Sequence, residues 1–555
     1  MKIKFCGAVN SVTGSCHLIM TKKHKVLLDC GQFQGGKSME AKNYEPFPFE
    51  PAEIDCLLLS HAHVDHCGRI PLLVRQGFKG KIYCTDATAD LVQVMLKDCG
   101  YIHEKEAIRA NRKAKRAGKP EVEPLYTLKE AEDSLKYLAP VLYDQLIVIN
   151  DEMRIVFNDA GHILGSAITE LWVEEGENIS KIVYSGDIGM MHRPILRDPT
   201  IIKKADYVIM ETTYGNRIHE KNESSINKLI DIIVTTAKRG GNVIIPAFAV
   251  GRTQELIYEL NRFYEDDTEY RDILDKLFVY VDSPMAITTT EVFRKNVQVF
   301  DEETQNYIIS GDNPLDFRNL RFTRTSEESK ALNIDAQPKI IISASGMCEA
   351  GRIRHHLKHN LWDAKNSIVF VGYQANGSLG RIILDGQKDV SIFGEQVQIN
   401  AEIYNLEGFS GHADREGLLE WLDGFKVKPH DIFLVHGEDE AKYDFAVTVK
   451  DVLKYDCTVV DGISEYELSK DTVLTRGDVI EDIVDEEQIS QVRGKIKKIK
   501  DNLGDILYHT HLAISDNISP GQMIKINNLI LELEKDALNL SAAVTKDELK
   551  DSTLG

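Results

Sequence analysis

Apolar runs and their spacing divide the chain into a strand-rich opening, a middle in which strands and helices alternate, and a return to the opening style. Residues 17–21 (HLIMT) and 24–30 (HKVLLDC) flank the polar pair Lys22-Lys23 and predict a β-hairpin. The run at 54–59 predicts a strand that stops at Ser60 and gives way to a loop dense in histidine. Over 86–99, Leu91, Val94, Met95 and Cys99 fall at helical spacing. The apolar-poor stretch beyond it, closed by Gly118, Pro120 and Pro124, predicts an exposed helix and loop carrying Arg109, Arg112, Lys113, Lys115 and Arg116. Such a charge run is ordinarily a solvated face, and contact with nucleic acid is the alternative. Strands return over 153–187 as MRIVFNDA, AITELWVEE and KIVYSGD.

From Asp206 the rhythm changes. Strands (YVIME, NVIIPAF, LFVYVDS, KIIISAS, SIVFVGY) alternate with helical stretches such as RTQELIYELNRFYED, the pattern of parallel βαβ units. After residue 395 a helix at 417–425 and the strand DIFLVHGE restore the earlier style, so the α/β stretch reads as an insertion. The expected division is 1–206 and 396–470 for the first domain in two parts, 207–395 for the insertion, and 471–555 for a C-terminal helical extension. Within that extension Ile526, Leu529, Ile530 and Leu533 share one helical face, which packs on its own chain or on a second copy.

Composition narrows the class. With 555 residues and 43% hydrophobic positions the chain has material for several cores, and disorder throughout is excluded. Lys and Arg number 66 against 87 Asp and Glu, a net charge of −21, which excludes a passive nucleic-acid coat and requires a local site for any polyanionic substrate. No apolar run of about 18 residues and no secretory leader pattern is seen, so neither a membrane partner nor a membrane span is expected, and the cytoplasm is the expected compartment. Nine cysteines without a C-x-x-C pair read as reduced thiols.

The strongest chemical signal is His61-Ala62-His63-Val64-Asp65-His66. Three imidazoles and a carboxylate in six residues offer N and O ligands suited to Zn²⁺, and alternation along a loop lets His61 and His63 share one ion while Asp65 and His66 face another. Further ligands must come from elsewhere, and His162 (GHILGS), Asp187 (YSGD) and His436 (LVHGE) stand at strand ends. In the insertion, Ser345 and Gly346 (SASGM) follow a strand and offer backbone amides to a phosphate, or form an ordinary tight turn. GYQANGSLGR offers Arg381 as a phosphate partner, or is a glycine-rich loop without a ligand.

Asp29 in LLDCG, HAHVDH, His162 and Asp187 together resemble the metallo-β-lactamase fold, and Glu211 in METTYG, His412 in FSGHAD and His436 in LVHGE resemble, in order and context, the β-CASP nucleases. The resemblance spans about residues 1–465, insertion included. It implies an α/β protein, a metallo-β-lactamase αββα sandwich with an inserted parallel α/β (β-CASP) domain. It implies two Zn²⁺ ions per chain, one on His61, His63, His162 and Asp187, the other on Asp65, His66, Asp187 and His436. Such a pair lowers the pKa of a shared water and clamps a phosphodiester oxygen.

By the same resemblance Glu211 charges and orients His412, which contacts the phosphate or protonates the leaving oxygen, and Asp29 fixes the tautomer of a ligand histidine. Arg252 in AVGRTQE resembles a residue of the same family context, although an arginine at a helix start also serves packing. A histidine at position 436 goes with RNA in related proteins, where DNA-repair relatives have valine. The expected activity is a zinc-dependent ribonuclease on single-stranded RNA, endonucleolytic, 5′-exonucleolytic or both, with a homodimer as the implied assembly. A small-molecule hydrolase and a catalytically silent scaffold are the competing classes. No KH module is expected ahead of the first strand.

Overall fold

A computed structural model describes residues 1–468, apart from 177, 220–221, 266–269 and 376. The C-terminal extension over 471–555, with the helix expected in it and the dimer expectation attached to that helix, lies outside the described residues.

Two seven-stranded sheets make the first domain. In one the strands run in the order Ser464–Glu467, Lys2–Gly7, Cys16–Met20, Lys25–Leu28, Cys56–Leu58, Lys81–Thr85 and Leu138–Val141. The expected hairpin is present, with His17 paired to Leu28 and Met20 to Lys25. In the other sheet the order is Thr458–Val459, Asp431–Val435, Tyr207–Glu211, Asn178–Tyr184, Ala167–Glu175, Met153–Asp159 and Ile147–Val148. The facing sides bury Ile3, Phe5, Leu28, Leu58, Phe157, Leu171, Ile209 and Phe433 between them. Helices cover both outer faces. Asp86–Arg116 and Leu128–Ser134 back the first sheet, and Arg415–Asp423 and Asp439–Val452 back the second through Leu418, Trp421, Phe445 and Val449. The result is the expected αββα sandwich.

The insertion is a six-stranded sheet of parallel strands in the order Leu320–Phe322, Phe278–Val281, Lys339–Ser343, Val243–Pro246, Ser367–Phe370 and Glu402–Asn405. Sheet membership moves the expected boundaries. Tyr207–Glu211, read as the first strand of the insertion, pairs in parallel with Asn178–Tyr184 and Asp431–Val435 in the sandwich, and Glu402–Asn405 extends the inserted sheet beyond residue 395. A buried parallel strand is apolar on both faces in either domain, so local pattern does not say which sheet it joins.

The helix expected over 86–99 runs to Arg116, and the basic segment forms its far half rather than a separate element. Lys113, Lys115 and Arg116 occupy its last turn, where positive charge complements the helix dipole. Among the described residues no helix is long and apolar enough to cross a membrane. All nine cysteines are free thiols.

Candidate metal centre

The strands Lys25–Leu28 and Cys56–Leu58 are parallel neighbours in one sheet, as are Asn178–Tyr184, Tyr207–Glu211 and Asp431–Val435 in the other. Chemistry-bearing residues sit at or just past their carboxyl ends, the edge where open parallel sheets carry ligands. Asp29 follows the first, the histidine loop the second, Asp187 the third; Glu211 ends the fourth and His436 follows the fifth. His162 comes from the connection between Met153–Asp159 and Ala167–Glu175. Gly31 lets the Asp29 turn approach: a Cβ there would stand 1.5 Å from the Asp65 carbonyl oxygen. Asp29 and His436 both have positive φ, 58° and 50°, which Asp and His tolerate better than branched residues.

The donor atoms form adjoining clusters. His63 Nδ1 lies 3.1 Å from His61 Nε2 and 3.2 Å from His162 Nε2, and Asp187 Oδ2 lies 3.4 Å from His61 Nε2 and 3.6 Å from His162 Nε2. Bonds of about 2.0–2.1 Å to a tetrahedral ion require ligand atoms about 3.3–3.4 Å apart, so this set fits one cation. Beside it, His66 Nε2 is 3.1 Å from His436 Nε2, and Asp65 Oδ2 is 3.7 Å from the same His436 nitrogen. Asp187 Oδ2 also lies 3.3 Å from His66 Nε2 of this second set. Asp187 Oδ1 is buried and has no hydrogen-bond partner, an arrangement costly without a cation.

Protonation agrees with a ligand role. Burial, reinforced by neighbouring imidazoles, holds His61 and His162 well below the ordinary histidine range and His63 at about 4, so all three are neutral at pH 7. Burial opposes ionisation of Asp187, but His436, His66 and His61 outweigh it and keep the carboxylate charged. His66 is pulled up, against burial, by Asp187 and Asp29, so a cation there displaces a proton.

The outer nitrogens are held too. His66 Nδ1 is 2.6 Å from Asp29 Oδ2, which also accepts from Tyr184 Oη at 2.6 Å and Ser60 Oγ at 2.7 Å, while Ser60 N donates to Oδ1. His61 Nδ1 is 3.0 Å from Ser60 Oγ, His162 Nδ1 is 3.1 Å from the Gly411 carbonyl, and His436 Nδ1 is 3.1 Å from Thr213 Oγ1. Ser60, Tyr184 and Thr213 were not singled out in the sequence. Ser60 and Thr213 stand beside motif residues, and that adjacency was the available signal.

On a third side of Asp187, His412 Nδ1 is 3.1 Å from Glu211 Oε1. Glu211 is fully buried and also accepts from Ile188 N at 2.6 Å. Burial works against protonation of His412, yet the Glu211 and Asp187 carboxylates prevail and raise its pKa to about 9. Arg193, buried and ion-paired with Glu255 at 3.0 Å, donates to the Gly408 and Ser410 carbonyls and so pins the loop that presents His412. The two carbonyls lie more than two hundred residues away in sequence, and nothing local points to this role.

The insertion closes the cleft, a cavity of about 170 Å³ lined by His63, Asp65, His162, Asp187, His412 and His436 from the sandwich and by Phe248, Arg252, Met347 and Tyr373 from the insertion. Arg252 lines it while paired with Glu255. Ser345 and Gly346 do not line it. The Ser345 amide donates to the Ala350 carbonyl at 3.2 Å and the Gly346 carbonyl accepts from Gln374, so this turn closes on itself and the Ser345 amide is not open to a phosphate. Arg381 pairs with Asp385 at 2.8 Å and lines a neighbouring cavity.

Three family profiles match the chain in order: a metallo-beta-lactamase superfamily domain over 18–213, a Beta-Casp domain over 253–383, and a Zn-dependent metallo-hydrolase RNA specificity domain over 396–460. A ribonuclease of Thermus thermophilus is 39% identical over 79% of this chain and 94% of its own. A transcription termination factor, FttA, of Methanocaldococcus jannaschii is 33% identical over 82% of this chain and 69% of its own. The FttA of Methanosarcina mazei is 30% identical over 84% of this chain and 72% of its own.

Proposed function

Since this chain belongs to the β-CASP family of metallo-β-lactamase-fold nucleases, we propose that it hydrolyses phosphodiester bonds of single-stranded RNA, with two Zn²⁺ ions, in RNA processing or decay. It is a divalent-metal-dependent hydrolase acting on RNA. The observation that carries the rest is Asp187, a buried carboxylate whose Oδ2 lies 3.4 Å from His61 Nε2, 3.3 Å from His66 Nε2 and 3.9 Å from His412 Nδ1. The names of the relatives, a ribonuclease and a transcription termination factor, favour RNA over a small molecule. A cleft roofed by an inserted domain also suits a chain-like substrate better than a small ester.

A bound ion pair would supply Lewis acidity and a water activated near neutral pH. His61, His63 and His162, with Asp187, would hold one ion, and Asp65, His66 and His436, again with Asp187, the other. His412 keeps Nδ1 on Glu211, which leaves Nε2 for the substrate. As the phosphorus–oxygen bond breaks, that nitrogen donates a proton to the departing 3′ oxygen, and the Glu211 carboxylate stabilises the imidazolium beforehand. Asp29, Ser60 and Thr213 hold the imidazoles in orientation.

The test is cleavage of labelled linear and circular single-stranded RNA beside a thioester by the metal-replete chain. RNA cleavage, abolished by Asp65→Ala, is expected, and products from the circle identify endonucleolytic attack. Thioester hydrolysis with intact RNA would overturn the reading.

A further inference from the structure

The central cleft shares Gly372, Tyr373 and Ser410 with a second cavity of about 310 Å³, which lies near the lower end of the range of about 300–1,000 Å³ typical of small-molecule sites. Aromatic rings connect the two. The His412 and Tyr214 centroids are 6.1 Å apart, and Tyr214 meets Tyr373 edge to face at 6.0 Å and 83°. His219 packs on Tyr214 at 4.4 Å and lines the second cavity.

Polar atoms in this wall lack partners. His219 Nε2 and Gln374 Oε1 are buried without a hydrogen bond, although Gln374 Nε2 donates to the Gly346 and Gly372 carbonyls at 2.9 and 3.0 Å. Two guanidiniums also line the cavity, exposed Arg217 and half-buried Arg381, together with Asp385, which pairs with Arg381. In a chain of net charge −21, cations beside an aromatic wall next to the reacting centre are the local patch that a polyanion requires. Aromatic faces with flanking arginines are the chemistry that holds single-stranded nucleotides irrespective of base.

We propose that this cavity seats the nucleotide adjoining the scissile phosphodiester, its base stacked on the Tyr373 ring and its outer phosphate held by Arg217 and Arg381. The inference rests on the nuclease reading. It adds a subsite one nucleotide from the reaction, built on residues from the loops after Tyr207–Glu211 and Ser367–Phe370.

Binding is measured with a fluorescent single-stranded RNA octamer in an Asp65→Ala background, so that no cleavage intervenes. Adding Tyr373→Ala is expected to raise Kd about 5- to 150-fold, the equivalent of one lost stacking contact, with the salt dependence unchanged. Tyr373→Phe keeps the ring, loses only the hydroxyl's bond to Glu438, and is expected to bind within about twofold of the Asp65→Ala parent. Arg217→Ala is expected to lower the slope of log Kd against log salt by about one. Tyr373→Ala binding as the parent does, Tyr373→Phe binding as poorly as Tyr373→Ala, or an unchanged slope in Arg217→Ala would overturn the proposal. Cleavage by the unsubstituted, metal-replete chain is scored separately, so a failed nuclease reading is distinguished from a failed subsite.

Discussion

Single side chains at the centre act through the atoms they turn away from it. Asp29 touches no substrate, yet its carboxylate orders His66, Ser60 and Tyr184. Asp29→Asn suits the positive φ and preserves size, so it isolates the charge. It should cost roughly 10- to 100-fold in metal affinity or cleavage rate, read by metal titration and initial rates. His412 makes a pH prediction. Its pKa is raised to about 9, so the proton it would donate in the proposed reaction is present below that value and lost as pH climbs through it. Any stability from its pairing with Glu211 follows the same sign, complete below about 6.5 and gone above about 9. The kcat/KM profile should fall on the alkaline side near pH 9, and Glu211→Gln should bring that limb to lower pH. The candidate ligands were legible in the sequence because donors of one type fall together, three histidines within six positions. The residues that steady them were not, because serine, threonine and tyrosine are common everywhere and only three-dimensional proximity distinguishes Ser60 or Thr213.

Strands and helices were legible where their period was clear, and their partners were not. The hairpin after residue 16 pairs as its pattern implies, whereas Tyr207–Glu211 was assigned to the wrong sheet because a doubly buried strand carries no address. The long helix Asp86–Arg116 outran its apolar stripe because Leu91, Val92, Met95 and Leu96 are buried near its start while its far half is solvated. In the insertion one element depends on a buried charge. Asp282, wholly buried, accepts from His356 Nε2 at 2.6 Å, Ser329 Oγ at 2.6 Å and Arg352 Nη1 at 2.6 Å, which ties the helix Ile353–Asn360 to the end of the strand Phe278–Val281. Burial would favour the neutral acid, but these donors hold the carboxyl at about 2. Asp282→Ala strands Arg352 and His356 and should cost about 3–5 kcal/mol of stability at pH 7, measured by denaturant unfolding.

At the scale of the molecule, two sheets supply opposite halves of one centre, with His61 to His66 from the first and Asp187, Glu211 and His436 from the second. Metal held between them would therefore join the two sheets of the sandwich. Binding to the folded chain alone stabilises it by mass action, so stripping metal should lower the thermal midpoint and Zn²⁺ should restore it. Unchanged melting would mean that the imidazole cluster is satisfied without a cation. The most direct test is the metal content of the purified, Zn²⁺-loaded chain by elemental mass spectrometry, alongside Asp187→Ala. The account predicts about two equivalents per chain, and markedly fewer in the variant. Less than one equivalent in the unsubstituted chain, or an Asp187→Ala chain that holds as much metal, would contradict it.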